Sequence, residues 1–161
     1  MADNSRVPMT QKGYQRLLEE LRRLKGVERP KLVQEIEDAR GHGDLSENAE
    51  FHAAKERQSL LDAQTREIED KLARAQVINI SELSGDKVVF GATVSLVDGD
   101  TGDKVVYQIV GDHEADPRNG KVSISSPIAR ALIGRSQGDE VQVRTPTGIR
   151  TFEIVRLEFV D

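Results

Sequence analysis

The chain carries the sequence Arg40-Gly-His-Gly-Asp-Leu-Ser-Glu-Asn-Ala-Glu-Phe51 at the point where one long helical pattern stops and a second one starts. Two glycines interrupt the first pattern, and two carboxylates three residues apart, Asp44 and Glu47, open the second. If the two helices pack against each other as a hairpin, this segment is its far end. Carboxylates at the end of a long arm add little to the stability of a fold, but they are well placed to reach into a partner.

Residues 11–40 and 47–76 both have apolar side chains at helical intervals of three and four residues. Thr10 is placed to cap the first helix, with Met9 as a hydrophobic staple. Pro30 lacks a backbone donor, so it predicts a kink or a new turn where the apolar register slips. Both stripes are narrow, which favours an antiparallel coiled-coil hairpin within residues 1–80. The predicted seam consists of Tyr14, Leu17, Leu21, Leu24, Leu32, Ile36, Ala39, Ala54, Gln58, Leu61, Thr65, Ile68, Leu72 and Ala75.

Residues 81–161 change to a period of two, which is typical of strands. One short helix interrupts this pattern: Ser126 is its predicted cap, Pro127 its first residue and Gly134 its C-terminal stop. The sequence therefore predicts an α+β protein, with a small antiparallel sheet and one short helix following the hairpin. The strands are predicted at residues 88–90, 92–97, 105–110, 121–125, 141–144 and 151–159.

Composition removes several classes of function. The chain has 161 residues, no cysteine and a formal net charge of −5. Disulfides and thiolate metal sites are therefore excluded, and so is a global positive field for binding nucleic acid. We find neither the apolar core of a secretory signal nor an apolar run of roughly 18 residues, so we expect a cytoplasmic protein that does not bind membranes. Any contact with nucleic acid should be local and should depend on another partner.

Asp44 and Glu47 have two interpretations that the spacing alone leaves open. In the first, they form a capping box: the Asp44 side chain accepts a hydrogen bond from the third backbone amide of the helix, and the Glu47 side chain accepts one from the amide of Asp44. In the second, they are two oxygen ligands that hold a divalent cation weakly. Mg²⁺ requires six ligands, so such a site would be completed by a partner or by substrate phosphate. A cation held in this way could activate water for phosphodiester hydrolysis.

The other polar clusters are less specific. Arg40 and Lys55 flank the hairpin end, where they could form ordinary ion pairs or contact phosphate. His42 and His52 do not have the spacing of a helical zinc site. The acidic segment 111–117 lacks the spaced ligands of an EF-hand, so we expect a solvated loop. We find no motif of an autonomous enzyme, which favours an arm that completes the active site of another protein.

Several motifs, in order along nearly the whole chain, resemble the bacterial transcript-cleavage factors of the GreA/GreB family. They lie at residues 8–24, 39–56, 90–94, 109–112 and 126–134. The resemblance implies an N-terminal coiled-coil hairpin and a C-terminal FKBP-like domain. It also implies that bacterial RNA polymerase is the partner, and that the hairpin enters the secondary channel of the polymerase.

The resemblance assigns roles to particular residues. Asp44 and Glu47 would be the catalytic tip acids, which help to hold the second Mg²⁺ of the polymerase active centre and orient the attacking water. Arg40 and Lys55 would bind the extruded 3′ end of the nascent RNA. The polymerase would then cut its own backtracked transcript, so the protein would not itself be an enzyme but would stimulate the polymerase in trans.

The family also implies a docking segment, Ser125–Pro127, in which Ser125, Ser126 and Pro127 attach the C-terminal domain at the rim of the channel. We expect a monomer when the protein is free. The sparse basic residues along the hairpin favour the GreA type over the GreB type.

Three other functions are considered. A non-cleaving regulator that occupies the same channel is the nearest alternative, but the tip acids favour cleavage. A prolyl isomerase needs an aromatic pocket, whereas the aromatic residues of residues 81–161 alternate as in a sheet core. A coiled-coil chaperone is disfavoured by the short apolar seams and the polar tip.

Overall fold

The computed structural model describes residues 6–41 and 48–160. The chain divides into two compact units: Tyr14–Ala75 is one, and Met1–Gly13 together with Gln76–Asp161 is the other. We predicted a functional boundary after residue 80. The compact units instead divide the chain after Gly13 and after Ala75, so both ends of the hairpin segment connect to the same sheet-containing unit.

The described residues form four α-helices and seven strands. The helices are α1 (Gln11–Arg23), α2 (Arg29–Arg40), α3 (Ala49–Arg74) and α4 (Pro127–Leu132). The strands are β1 (Val7–Thr10), β2 (Ala75–Ile78), β3 (Thr93–Asp98), β4 (Lys104–Val110), β5 (Lys121–Ser123), β6 (Glu140–Thr145) and β7 (Gly148–Glu158). No helix in residues 6–41 and 48–160 combines the length and apolar character needed to cross a membrane.

The first unit is the predicted helical hairpin, in which α2 packs against α3. With 26 residues, α3 is about 39 Å long at 1.5 Å per residue. A single row of buried side chains joins the helices, which confirms the predicted narrow seam. Its buried members are Leu24, Leu32, Ile36, Ala54, Leu61 and Ile68, and Leu17, Leu21, Phe51 and Leu72 pack against them.

The predicted slip in apolar register lies in one wide helical turn. Leu24–Glu28 form a π-helical turn between α1 and α2, and Pro30 lies in the first turn of α2. An extra residue in a π turn rotates the following side chains, so the seam can resume after the slip. Proline is tolerated at this position because the first amides of a helix have no intrahelical acceptor.

The second unit contains a five-stranded sheet in the order β5-β4-β3-β7-β6. The pairings are antiparallel except that β5 runs parallel to β4, which our purely antiparallel expectation missed. Parallel pairing is reached because the segment between β4 and β5 crosses from one end of the sheet to the other. The core contains Val88, Ala92, Val94, Leu96, Ile109, Val122, Ala129, Leu132, Val141, Val143, Phe152 and Ile154.

Two local predictions for this unit differ from the structure. Val88–Phe90 do not form a regular strand: Val88 exchanges backbone hydrogen bonds of 2.7 and 2.9 Å with Arg135 and Gly134, and the ladder does not continue. The two-stranded sheet of β1 and β2 was not predicted. Each of its strands has only four residues, which is too short to establish a period of two.

Thr10 is the predicted cap of α1, and its hydroxyl accepts from the Gly13 amide at 3.1 Å. A capping box would place a glutamate at position 13, but the chain has glycine there. Glu114 supplies the missing carboxylate from 104 residues away: it accepts from the Thr10 amide at 3.0 Å and from the Thr10 hydroxyl. It also accepts from the Gly111 amide at 2.9 Å. Segment 111–117 is largely exposed between β4 and β5, as we expected, but its Glu114 carboxylate also completes a helix cap, which the sequence did not reveal.

Candidate functional site

Asn48 begins α3 at the end of the hairpin. The Asn48 side chain accepts from the Phe51 amide at 3.1 Å, and its backbone is extended, as expected for an N-cap. We had considered Asp44 as the cap of a helix over residues 47–76, whereas α3 begins at Ala49 and Asp44 lies outside the described residues. Asn48 satisfies the orphan amide of Phe51 at this helix start without a charge.

The same side chain also reaches the other helix. Asn48 Nδ2 donates to the carbonyl of Ala39 at 2.5 Å, in the last turn of α2. The α2 C-terminal carbonyls lack intrahelical partners, so this bond satisfies one of them. Asn48 thus joins the end of α2 to the start of α3. Ala39 and Ala54 are buried nearby along the seam, where small side chains let the two helices approach closely.

Arg40 and Lys55 are both exposed at this end of the hairpin. The Arg40 guanidinium carbon lies 5.9 Å from the centroid of the Phe51 ring, within range of a cation–π interaction. Phe51 and Lys55 are four residues apart on α3 and therefore share one helical face. Lys55 Nζ bonds to Gln58 at 3.0 Å, and within the described residues neither cation is held in an ion pair. The structure thus places both predicted RNA-binding residues at this end of the hairpin.

Asp44, Glu47 and His42 lie outside the described residues, so the predicted catalytic and metal-binding roles remain predictions. Within residues 6–41 and 48–160, no group of three histidine or acidic side chains is arranged to hold a metal ion. The ring of His52 lies 5.7 Å from that of Phe51 in an edge-on arrangement.

The docking segment lies between β5 and α4. Ser126 is the N-cap of α4, since its hydroxyl accepts from the Ala129 amide at 3.3 Å, and Pro127 follows as the first helical residue. Gly134 follows the C-cap in a left-handed conformation with φ of 86°. These three predicted helix signals are confirmed. Ser125 and Pro127 are exposed, and Ser126 is half-buried.

Sequence reasoning missed a carboxylate beside this segment. Asp112 Oδ1 accepts from the Ser125 hydroxyl at 2.8 Å and from the Ser123 hydroxyl. These two hydroxyl donors, Ser123 first, hold the pKa of Asp112 below its ordinary value because they stabilise the ionised form. Periodicity could not reveal the contact, since Asp112 precedes Ser125 by 13 residues across a parallel crossover.

Together these features define an α+β protein with two distinct polar surfaces: a helical hairpin whose end exposes cations, and a sheet unit whose short helix is preceded by an ordered serine-rich turn. Two family models match the chain. Residues 7–77 match "Transcription elongation factor, N-terminal", and residues 83–159 match "Transcription elongation factor, GreA/GreB, C-term". The chain therefore belongs to the GreA/GreB family of transcription elongation factors.

Several relatives named "Transcription elongation factor GreA" are similar over nearly their whole length. The protein from Phenylobacterium zucineum is 61% identical over 155 residues, which cover 96% of this chain and 99% of the relative. The protein from Anaeromyxobacter sp. (strain K) is 59% identical over 97% of this chain and 94% of its own length. These names agree with the predicted GreA type.

Among solved structures, the "GreA factor homolog 1 (Gfh1) protein of Thermus thermophilus" is 30% identical and aligns with 95% of this chain and 99% of its own. Its TM-score is 0.42, so details of its geometry are not transferred to this chain.

Proposed function

We propose that this protein acts on bacterial RNA polymerase and stimulates cleavage of the 3′ end of backtracked RNA. The hairpin enters the secondary channel, and the docking segment attaches the sheet unit at the channel rim. The protein supplies residues to the active site of the polymerase and has no complete active site of its own. Nearly full-length similarity to proteins named transcription elongation factor GreA supports this class of function.

The cap of α3 is the observation that carries the mechanism. A capping box was one explanation for the Asp44–Glu47 spacing, and in the structure Asn48 is the residue that caps α3. The start of α3 therefore needs neither carboxylate. On this proposal, both carboxylates act in the active site of the partner.

The charge of the hairpin end favours an RNA substrate. Arg40 and Lys55 are both exposed, and the Arg40 guanidinium lies over the Phe51 ring, one turn before Lys55 on α3. Cations contact phosphates, and aromatic rings stack on unpaired bases. The net charge of −5 opposes binding of free nucleic acid, so the polymerase must bring the RNA end to this end of the hairpin.

Mg²⁺ fits the donor chemistry of the tip acids, since it prefers carboxylate oxygens. Asp44 and Glu47 would hold it jointly with ligands of the polymerase, because two carboxylates cannot complete six positions. When bound, the ion would favour ionisation of water and stabilise negative charge on the phosphate. In this chain, Asp44 and Glu47 orient the attacking water, and Arg40 and Lys55 hold the RNA end.

The test uses purified full-length protein and stalled, backtracked elongation complexes in the presence of Mg²⁺. Asp44→Asn and Glu47→Gln should each lower the saturating cleavage rate by about 100-fold or more, since a group that acts in the transition state is lost. Binding to the complex should change by less than about threefold, because the tip contributes chemistry more than affinity.

Glu37→Gln is the matched control. Glu37 is exposed and lies one turn before Arg40 on α2, and the substitution removes one negative charge, as the tip variants do. The cleavage rate with Glu37→Gln should therefore stay at the wild-type level. If the wild-type protein binds the complex without stimulating cleavage, the protein is instead a non-cleaving regulator of the same channel. If the tip variants lose binding and cleavage in parallel, the catalytic assignment is wrong.

A further inference from the structure

The serine-rich turn before α4 has a fixed arrangement of hydroxyl protons. A serine hydroxyl carries one proton and donates only one hydrogen bond, whereas an ionised carboxylate can only accept. Asp112 Oδ1 accepts from the hydroxyls of Ser123 and Ser125, and the two serine oxygens lie 2.8 Å from each other. Both hydroxyl protons are therefore used within this group of three side chains, whichever serine donates between the two.

The backbone of the turn holds the same arrangement. The Ser125 amide donates to Ser123 Oγ at 3.1 Å, and the Ser126 amide donates to the Ser123 carbonyl at 2.9 Å. Asp112 lies two residues after the end of β4, which pairs with the strand that ends at Ser123. The carboxylate and the serines are thus fixed to neighbouring strands, so the turn cannot rotate Ser125 outward without breaking the sheet edge or the bond to Asp112.

Ser126 has the opposite arrangement. Its oxygen accepts from the Ala129 amide, which leaves the Ser126 hydroxyl proton available to a partner. Within the docking segment, the exposed Ser125 therefore presents oxygen lone pairs, and Ser126 presents a proton. The segment therefore presents a hydrogen-bond acceptor at Ser125 and a hydrogen-bond donor at Ser126.

We propose that Asp112 is a positioning residue for docking: it turns the Ser125 hydroxyl inward, so that Ser125 accepts a hydrogen bond from a donor group on the polymerase. That donor is an arginine, a lysine or a backbone amide, and not a carboxylate or a carbonyl. The inference rests on the proposed docking role of Ser125–Pro127 and adds the chemistry of the group that recognises it.

The test measures affinity for the RNA polymerase elongation complex with full-length variants. Asp112→Ala frees the proton of Ser125, and Ser125→Ala removes the acceptor, so each should weaken binding by about tenfold, the value of one hydrogen bond to a charged group. The double variant should bind no more weakly than Ser125→Ala alone, because Asp112 acts through Ser125.

Asp112→Asn separates positioning from charge. Asparagine keeps an acceptor oxygen for the Ser125 proton but removes the negative charge, so it should restore binding to within about threefold of the wild-type value. Asp100→Ala removes an exposed carboxylate from the turn between β3 and β4 and serves as the charge control, with no change expected.

Three results would overturn the inference. If Asp112→Asn binds as weakly as Asp112→Ala, the charge of Asp112 contacts the partner directly. If the losses in the double variant add, Asp112 does not act through Ser125. If neither Asp112→Ala nor Ser125→Ala weakens binding while Ser126→Ala or Pro127→Ala does, the segment docks on the polymerase but Asp112 does not position Ser125 for it. Failure of the wild-type protein to bind the polymerase would overturn the proposed function itself. Circular dichroism of each variant confirms that it is folded at the assay temperature.

Discussion

Replacing Gly13 by alanine should destabilise the protein, although alanine is the better helix former. In an open helical position the change would stabilise by up to about 1 kcal/mol. At Gly13, however, a Cβ atom would overlap the carboxylate of Glu114. That carboxylate would have to move and would give up its bonds from the amide and the hydroxyl of Thr10.

Two hydrogen bonds to a charged group that is half-exposed contribute about 2–4 kcal/mol together. Subtraction of the helix propensity leaves a net loss of about 1–3 kcal/mol in the free energy of unfolding. Urea unfolding followed by circular dichroism at 222 nm measures this loss. Hydrogen exchange at the Thr10 amide should accelerate as well, because that amide loses its acceptor.

Gly26→Ala provides the matched control. Gly26 lies in the π-helical turn, and nothing lies within 4 Å of the position where its Cβ would be. This change should stabilise by up to about 1 kcal/mol, so the two glycines should respond with opposite signs. Adding Gly13→Ala to a Glu114→Ala background should cost nothing further, since the overlapping carboxylate is gone. If Gly13→Ala instead stabilises the wild-type protein as Gly26→Ala does, the reasoning about Glu114 is refuted.

Three further outcomes are expected. Asp98 is 2% exposed, and its pKa is lowered, first by the hydrogen bond from the Asp100 amide and also by Arg150. The ionised carboxylate therefore stabilises the fold above the pKa of the unfolded chain, and this stabilisation is lost as the pH falls through the folded pKa. In urea titrations at pH 3 to 6, Asp98→Asn should reduce the loss of stability that accompanies acidification. Asn48→Ala should lower the free energy of unfolding by about 1–2 kcal/mol, because both the cap of α3 and the hydrogen bond to α2 are lost. An unchanged thermal melting curve would contradict the role of Asn48 in joining the two helices. Lys55→Ala should slow transcript cleavage several-fold at limiting factor concentration, and its difference from wild type should shrink with rising salt, because salt screens a contact between a cation and phosphate. Lys25→Ala removes only a 2.9 Å ion pair within the hairpin and should not slow cleavage, so equal effects of the two changes would contradict an RNA contact.

The helical hairpin could be predicted from the sequence because its stabilising contacts follow a local period. Leu32, Ile36, Leu61 and Ile68 recur at three- and four-residue intervals, and these residues are buried in the structure. The start of α1 and the start of α4 were equally predictable. Thr10 and Ser126 satisfy amides three residues away, so the signal and the contact lie in one short segment.

The beginning of α3 shows where a local signal is ambiguous. Asp44 and Asn48 are both favoured N-cap residues, and a helix can begin after either. The structure selects Asn48 because its amide also reaches the Ala39 carbonyl, and that second contact exists only when α2 lies alongside. The sequence therefore indicates which residues can cap the helix, whereas the packing of α2 against α3 determines which of them does.

The sequence by itself determined the α+β class, the narrow seam, the caps of α1 and α4 and the motifs that place the chain in its family, since each depends on neighbours within a few residues. Only the tertiary structure decided the partners of Glu114 and Asp112 and the parallel pairing of β5 with β4. These contacts join residues 104 and 13 positions apart, or strands separated by a crossover. A carboxylate has no periodicity that points to a distant amide or hydroxyl, so its role becomes visible only when the fold has brought the two groups together.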